Sequence, residues 1–189
     1  MAILKIARMG HPVLRRVADP VSDPTDPEIR RLLADMAETM ADACGAGLAA
    51  PQVHAPLRII LFHVPAERAT LEGEADRPRG LSVLINPEVE PLGAEMVPGW
   101  EGCLSIPGLR GIVPRFAHIR YRGIDAEGNP VEREAKGFHA RVVQHEVDHL
   151  DGILYLDRMP SLALLTFNEE MQYFPGDLSQ LALRPEDPK

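Results

Sequence analysis

The sequence predicts a single domain in which amphipathic helices are set among the strands of a largely antiparallel or mixed sheet. Three observations lead there. Apolar residues recur at three-to-four-residue spacing near 27–43 and again near 138–150, the period of a helix with one buried face. Between these stretches, short runs rich in Val, Ile and Leu are separated by turns containing Gly, Pro or Asp. The length of 189 residues, 45% of them apolar, suits one buried core but is short for two.

The charge narrows the partners. A net charge of -8 argues against nucleic acid or an anionic membrane as the main partner, because both need a basic footprint. No run of about 18 apolar residues is present to span a bilayer. The opening Met1 to Leu14 is broken by Lys5, Arg8, Gly10 and Pro12, unlike a secretory signal, so a cytoplasmic address is expected. In that setting the two cysteines, Cys44 and Cys103, are expected as free thiols or ligands rather than a disulfide.

Taken in order, the first helix is signalled by Asp26 as N-cap, Pro27 at the first helical position and Glu28 in the first turn. Ile29, Leu32, Leu33, Met36, Met40 and Ala43 form its apolar face, and Gly45 supplies the stop. Cys44, at its end, is expected to pack as a small hydrophobe. Gly45-Ala46-Gly47-Leu48-Ala49-Ala50-Pro51-Gln52 is too glycine-rich for a helix interior, and reads as a turn that something can approach closely. Gln52 brings to it a neutral amide donor of the kind that steadies a developing oxyanion.

Leu57–Val64 and Leu81–Ile85 read as strands, joined by a polar surface loop over Pro65–Gly80, with His63 a plain strand residue. Further strands are expected near Val89–Val97, Ile112–Phe116 and His118–Ile124. The last turns through 125–129 into Val131–Ala135 as a hairpin. A helix from about Phe138 to Leu150 follows, stopped by Gly152, and a last helix is expected over Leu162–Tyr173. The Pro-, Asp- and Glu-rich tail from 175 to 189 is expected to be loose.

The chemistry begins at His145-Glu146-Val147-Asp148-His149. On a helix, His145 and His149 share a face with Cβ atoms about 5 to 6 Å apart, a spacing that can hold one divalent metal. Glu146 lies about 100° round the helix, able to reach a water beside that metal without being a ligand. Such a pair suits hydrolysis: the metal acidifies water and the carboxylate moves its proton.

Three continuations could complete the site. In the pattern His-Glu-x-x-His-x-x-Gly-x-x-His, Gly152 fits but Tyr155 stands where the third histidine belongs. Glu169, twenty residues past His149, fits a metallopeptidase arrangement. Cys103, in Trp100-Glu101-Gly102-Cys103-Leu104-Ser105, offers a thiolate, a strong ligand for zinc or ferrous iron. There the Leu104 N–H would become a second oxyanion donor beside Gln52. A non-catalytic site, closed by a fourth ligand such as His139 or Asp157, is a further possibility.

Taken together, Gly-x-Gly-x-Ala-Ala-x-Gln, Glu-Gly-Cys-x-Ser and Gln-His-Glu-x-Asp-His, in this order, resemble the three signature motifs of the peptide deformylases, over about residues 8 to 159. The resemblance implies a compact α+β fold with a central metal-bearing helix packed against the sheet. It implies removal of the formyl group from the formylmethionine that begins new polypeptides, with Fe2+ as the usual metal and Zn2+, Ni2+ or Co2+ able to replace it. By motif position, Cys103, His145 and His149 would be ligands and Glu146 the acid/base. Gln52 and the Leu104 N–H would hold the formyl oxygen, and Gly47 and Leu48 would meet the peptide. Glu101 and Arg110 match positions that line the cleft. Helical spacing adds Phe138, Arg141 and Val142 as walls for the methionine side chain, with Arg141 placing a charge in an otherwise apolar wall. The basic C-terminal helix with which many bacterial relatives dock on the ribosome has no counterpart here, which leaves at most a transient ribosome contact.

Overall fold

The computed structural model describes residues 2–69 and 74–174. Helix α1 spans Pro27–Asp42. The Asp26 side chain caps it by accepting from the Glu28 N–H at 2.8 Å, with Pro27 at the first helical position. Its apolar face buries Leu33, Met36 and Met40 against Leu48, Ile59, Leu61 and Ile85. The stop differs in detail from expectation. Cys44, not Gly45, takes the left-handed position with φ of 52°, and it is exposed rather than packed. A left-handed residue that ends a helix faces outward, so the apolar environment expected for this thiol is not available.

The strands are β1 (Gly47–Ala49), β2 (Ile59–Val64), β3 (Arg79–Pro91), β4 (Met96–Cys103), β5 (Ile106–Phe116), β6 (His118–Ile124), β7 (Pro130–Lys136) and β8 (Leu165–Phe167). They form two sheets, one ordered β1-β2-β3-β6-β7 and one ordered β4-β5-β8. Every named pairing is antiparallel, and among the described residues the mixed character is limited to one parallel bridge between Asp19 and Leu57. The strands expected at Leu81–Ile85 and Val89–Val97 are drawn differently. β3 runs unbroken past Asn86-Pro87 through a shift of register between Ile85 and Glu88. Asn86 takes a φ of 50°, and its amide is tied to Val21 N and O at 2.9 and 2.8 Å, so the irregular residues stay within the strand as a bulge.

Helix α2 (Gly137–Leu150) is the centre of the molecule, in contact with β1 and β2 on one side and β5 on the other. Gly137, with φ of 54°, makes the sharp turn from β7, and a Cβ there would lie 2.4 Å from Asp76 Oδ2. Ten residues of α2 are buried, including His139, Gln144, His145, Glu146, Asp148 and His149. Polar groups withdrawn from water on this scale need partners. Gln144 finds them at the end of β5, accepting from Phe116 N at 3.1 Å and donating to Phe116 O at 3.0 Å, so α2 is pinned to the second sheet as a strand would be.

The last helix expected over Leu162–Tyr173 is absent. That stretch is a short 3-10 turn, then β8 on the edge of β5, then a 3-10 helix over Asn168–Tyr173. The open edge of β5 offers main-chain hydrogen bonds, which outweigh a modest helical pattern. The expected loose tail, 175–189, lies outside the described residues. No helix among the described residues is long and apolar enough to cross a membrane.

Candidate active site

The β4–β5 hairpin turns tightly at Cys103-Leu104-Ser105, where the register shifts, and this turn faces one side of α2. It brings Cys103, His145 and His149 together with their ligand atoms all within 4.8 Å of one another. Cys103 Sγ lies 3.2 Å from His149 Nε2, a separation that one ion with bonds of about 2.0 to 2.3 Å can span. His145 Nδ1 is 2.8 Å from Glu101 Oε2, leaving Nε2 to face the cluster. A thiolate and two imidazoles suit a borderline-soft divalent cation such as zinc or ferrous iron.

The other proposed ligands lie elsewhere. Glu169 is exposed and outside the cluster. His139 is spent on Tyr121 Oη at 3.1 Å and Ala75 O at 3.0 Å, and Asp157 pairs with Arg15 and accepts from Leu154 N. Neither closes the site. Tyr155 stacks on the His145 ring at 6.2 Å between centroids. Its burial pushes the phenol up to about 12, so it remains a neutral wall.

Glu146 sits against β1. A Cβ on Gly47 would come within 2.3 Å of Glu146 Oε1, so only glycine allows the carboxylate its place. Glu146 Oε2 is buried without a protein partner among the described residues, and burial pushes the group up to about 7. Gln52 is fully buried, its Oε1 accepting from Ala49 N at 2.8 Å. That bond turns Nε2 toward Cys103 Sγ at 3.5 Å and Ser105 Oγ at 3.2 Å. The Ser105 N–H also points at the sulfur, at 3.4 Å.

Behind His145 lies a chain of alternating charge that sequence reasoning missed, buried at Glu101, Arg115 and Asp148 and ending at the exposed Arg158. Glu101 accepts from Arg115 Nε and Nη2 at 2.9 and 3.0 Å and from Arg141 Nη1 at 2.9 Å. Arg115 donates onward to Asp148 at 2.5 Å, and Asp148 accepts from Arg158 at 2.8 Å. Burial opposes ionisation of Glu101, but the hydrogen bonds from His145 and Arg115 outweigh it and hold the carboxyl well below the usual range. His145 is shifted upward despite its burial, by its bonds to Cys103 and Glu101. Asp148, inside the His-Glu-x-x-His pentad, was the available signal for this network; Arg115 and Arg158 gave none.

These side chains open into a cleft of about 540 Å3, lined among others by Gly47, Gln52, Cys103, Leu104, Arg110, Phe138, Val142 and Glu146. One expected substrate contact is placed differently, and two that do line the cleft, Glu101 and Arg141, have their charged groups engaged by protein partners. The Leu48 side chain is wholly buried in the core beneath β1 and does not line the cleft. The Glu101 carboxylate is consumed by Arg115, Arg141 and His145. Arg141 does not leave a bare charge in the wall: its guanidinium crosses over Gly99 and donates to Val97 O at 2.7 Å and Val113 O at 2.8 Å. His63, read as a plain strand residue, lines the rim and contacts Gly45 O at 3.2 Å. Arg68, in the stretch read as a surface loop, lies over the Phe138 ring at 4.7 Å and also lines the cleft.

Comparison with known proteins is consistent in fold and sequence. Residues 3–164 match the family model described as polypeptide deformylase. Peptide deformylase 2 of Bordetella bronchiseptica is 52% identical over 164 residues, covering 87% of this chain and 92% of that protein. Peptide deformylase 1 of Xanthomonas axonopodis is 48% identical, covering 90% and 98%. Among solved structures, the peptide deformylase of Ehrlichia chaffeensis in complex with actinonin superposes with a TM-score of 0.78 at 36% identity, covering 84% of this chain and 90% of that one. The class I type b peptide deformylase of Acinetobacter baumannii gives 0.77 at 35% identity, covering 84% and 100%.

Proposed function

The chain belongs to the polypeptide deformylase family, and from that premise we propose how its own residues remove the formyl group from an N-terminal formylmethionine. The activity is hydrolysis of a formyl amide by a metal-dependent enzyme. A divalent cation held by Cys103, His145 and His149 would make water acidic enough to attack at neutral pH and would polarise the formyl oxygen. The thiolate and imidazole donors suit Fe2+, with Zn2+, Ni2+ or Co2+ as substitutes.

Glu146 takes the proton from the attacking water and delivers it to the leaving amine, so formate and a free methionine terminus separate. A carboxylate pushed up to about 7 by burial is matched to both transfers. The Gln52 amide, fixed by Ala49, and the Leu104 N–H hold the formyl oxygen as charge develops on it. Glu101 orients His145 through Nδ1, and Arg115 and Arg141 hold Glu101 ionised for that task. Phe138, Val142 and the aliphatic stem of Arg141 form the wall for the methionine side chain, with Gly47 and Arg110 beside the peptide. The substrates are formylated nascent chains, in keeping with a cytoplasmic address.

The observation that carries this reading is the convergence of one sulfur, two imidazoles, an unpartnered carboxylate and a fixed amide on one cleft. The test is formate release from a formyl-Met peptide, with metal content measured anaerobically. Cys103→Ala is expected to lose both metal and activity; full metal retention in that variant would remove the sulfur from the ligand set.

A further inference from the structure

The family match ends at Leu164, yet the described chain continues through β8 and the 3-10 helix Asn168–Tyr173. β8 adds to the outer edge of β5, pairing Thr166 with Arg110 and Leu165 with Gly111. The chain then crosses β5 to reach β4, where Phe174 meets the Trp100 ring edge-on with centroids 4.8 Å apart. Between these two anchors Asn168 lines the cleft that also holds Cys103, His145 and Glu146. Its side chain has no hydrogen-bond partner among the described residues, and it is exposed.

We propose that Asn168, held in place by β8 and by the Trp100–Phe174 contact, is a substrate-binding residue that engages the main chain beyond the formylmethionine. This rests on the deformylase reading and extends it. A primary amide offers two donors and an acceptor, the complement of a peptide group, and it carries no charge with which to select among side chains. Phe138 and Val142, the apolar wall suited to methionine, come from α2; Asn168 comes from the far edge of the second sheet. The cleft therefore joins an apolar wall for the first residue to a polar amide supplied by a different element.

The inference is tested on the metal-loaded full chain with two substrates, formyl-Met amide and formyl-Met-Ala-Ser. Asn168→Ala is expected to lower kcat/KM for the tripeptide roughly five-fold, chiefly through KM, the share of one neutral hydrogen bond, and to affect the amide several times less. Phe174→Ala should move the ratio in the same direction and Phe174→Tyr should restore it. The emission of Trp100, the chain's single tryptophan, should shift to the red in Phe174→Ala as the ring loses its cover. Equal losses on both substrates in Asn168→Ala, or no loss on either, would overturn the role. Absence of formate release from both substrates by the unaltered protein would overturn the deformylase reading instead.

Discussion

At the scale of the residue, Glu146 combines three properties that are individually unfavourable: it is buried, it lacks a protein partner on Oε2, and it sits against backbone. A charge in such a position is costly unless function requires it there. Glu146→Ala is expected to keep its metal and lose most of its turnover; undiminished kcat would remove the group from proton transfer. The pH profile follows from its form as base. Burial, the largest influence, raises the group to about 7, and a bound cation draws it lower, so activity should fall as pH drops through a value below 7. Gln52 acts on charge rather than protons. Gln52→Ala should raise the barrier by about 3 kcal/mol, lowering kcat by two orders of magnitude or more, as for other oxyanion donors. A change confined to KM would mean that the amide only binds substrate.

At the scale of the element, the site is an encounter between one helix and one hairpin. α2 supplies both imidazoles, four residues apart on one face, and the carboxylate three residues before His149, while the β4–β5 turn supplies the sulfur. β1 meets them at Gly47, and its fit is close. Gly47→Ala should displace Glu146 and depress kcat about as severely as its removal, while stability falls by only about 1 kcal/mol, because β1 is a short edge strand. Wild-type kcat in that variant would show that the carboxylate can move without cost. The expected walls follow the same logic. Phe138 and Val142 line the cleft because helical spacing puts them above His145, and spacing is a local property. Arg141 shares that spacing, but its guanidinium reaches Val97 and Val113 across the hairpin, and nothing in the local pattern could indicate which strand would lie opposite.

At the scale of the whole molecule, the burial that shapes the site also sets an acid limit on stability. His139 is fully buried between Tyr121 and Ala75, and desolvation pulls its imidazole down to about 4. The unfolded chain then binds a proton at His139 before the folded one does. Stability from this residue is complete above about pH 6.5 and is lost as pH falls toward 4, by up to about 3 kcal/mol. His139→Phe should be less stable at pH 7 yet lose less between pH 7 and 5, as read from urea midpoints. Comparing the two proteins cancels the acid sensitivity shared by the metal site. Parallel losses would assign the acid limit elsewhere.

The sequence by itself determined what is local or periodic: the Asp26 cap and apolar stripe of α1, the His145–His149 spacing, the β6–β7 hairpin, and the three motifs that resemble one family. Those features are legible because side-chain direction repeats along a helix or strand and because turns and caps use nearby residues. Only the tertiary structure decided what depends on distant segments meeting. It joined Leu81 to Pro91 across a bulge, turned the expected last helix into an edge strand, exposed Cys44, and tied the Glu101 carboxylate to His145. Arg115, Asp148 and Arg158 became one network only there. The physical reason is that a buried charge or an open strand edge must find a partner, and the partner is chosen by packing, whatever its separation along the chain.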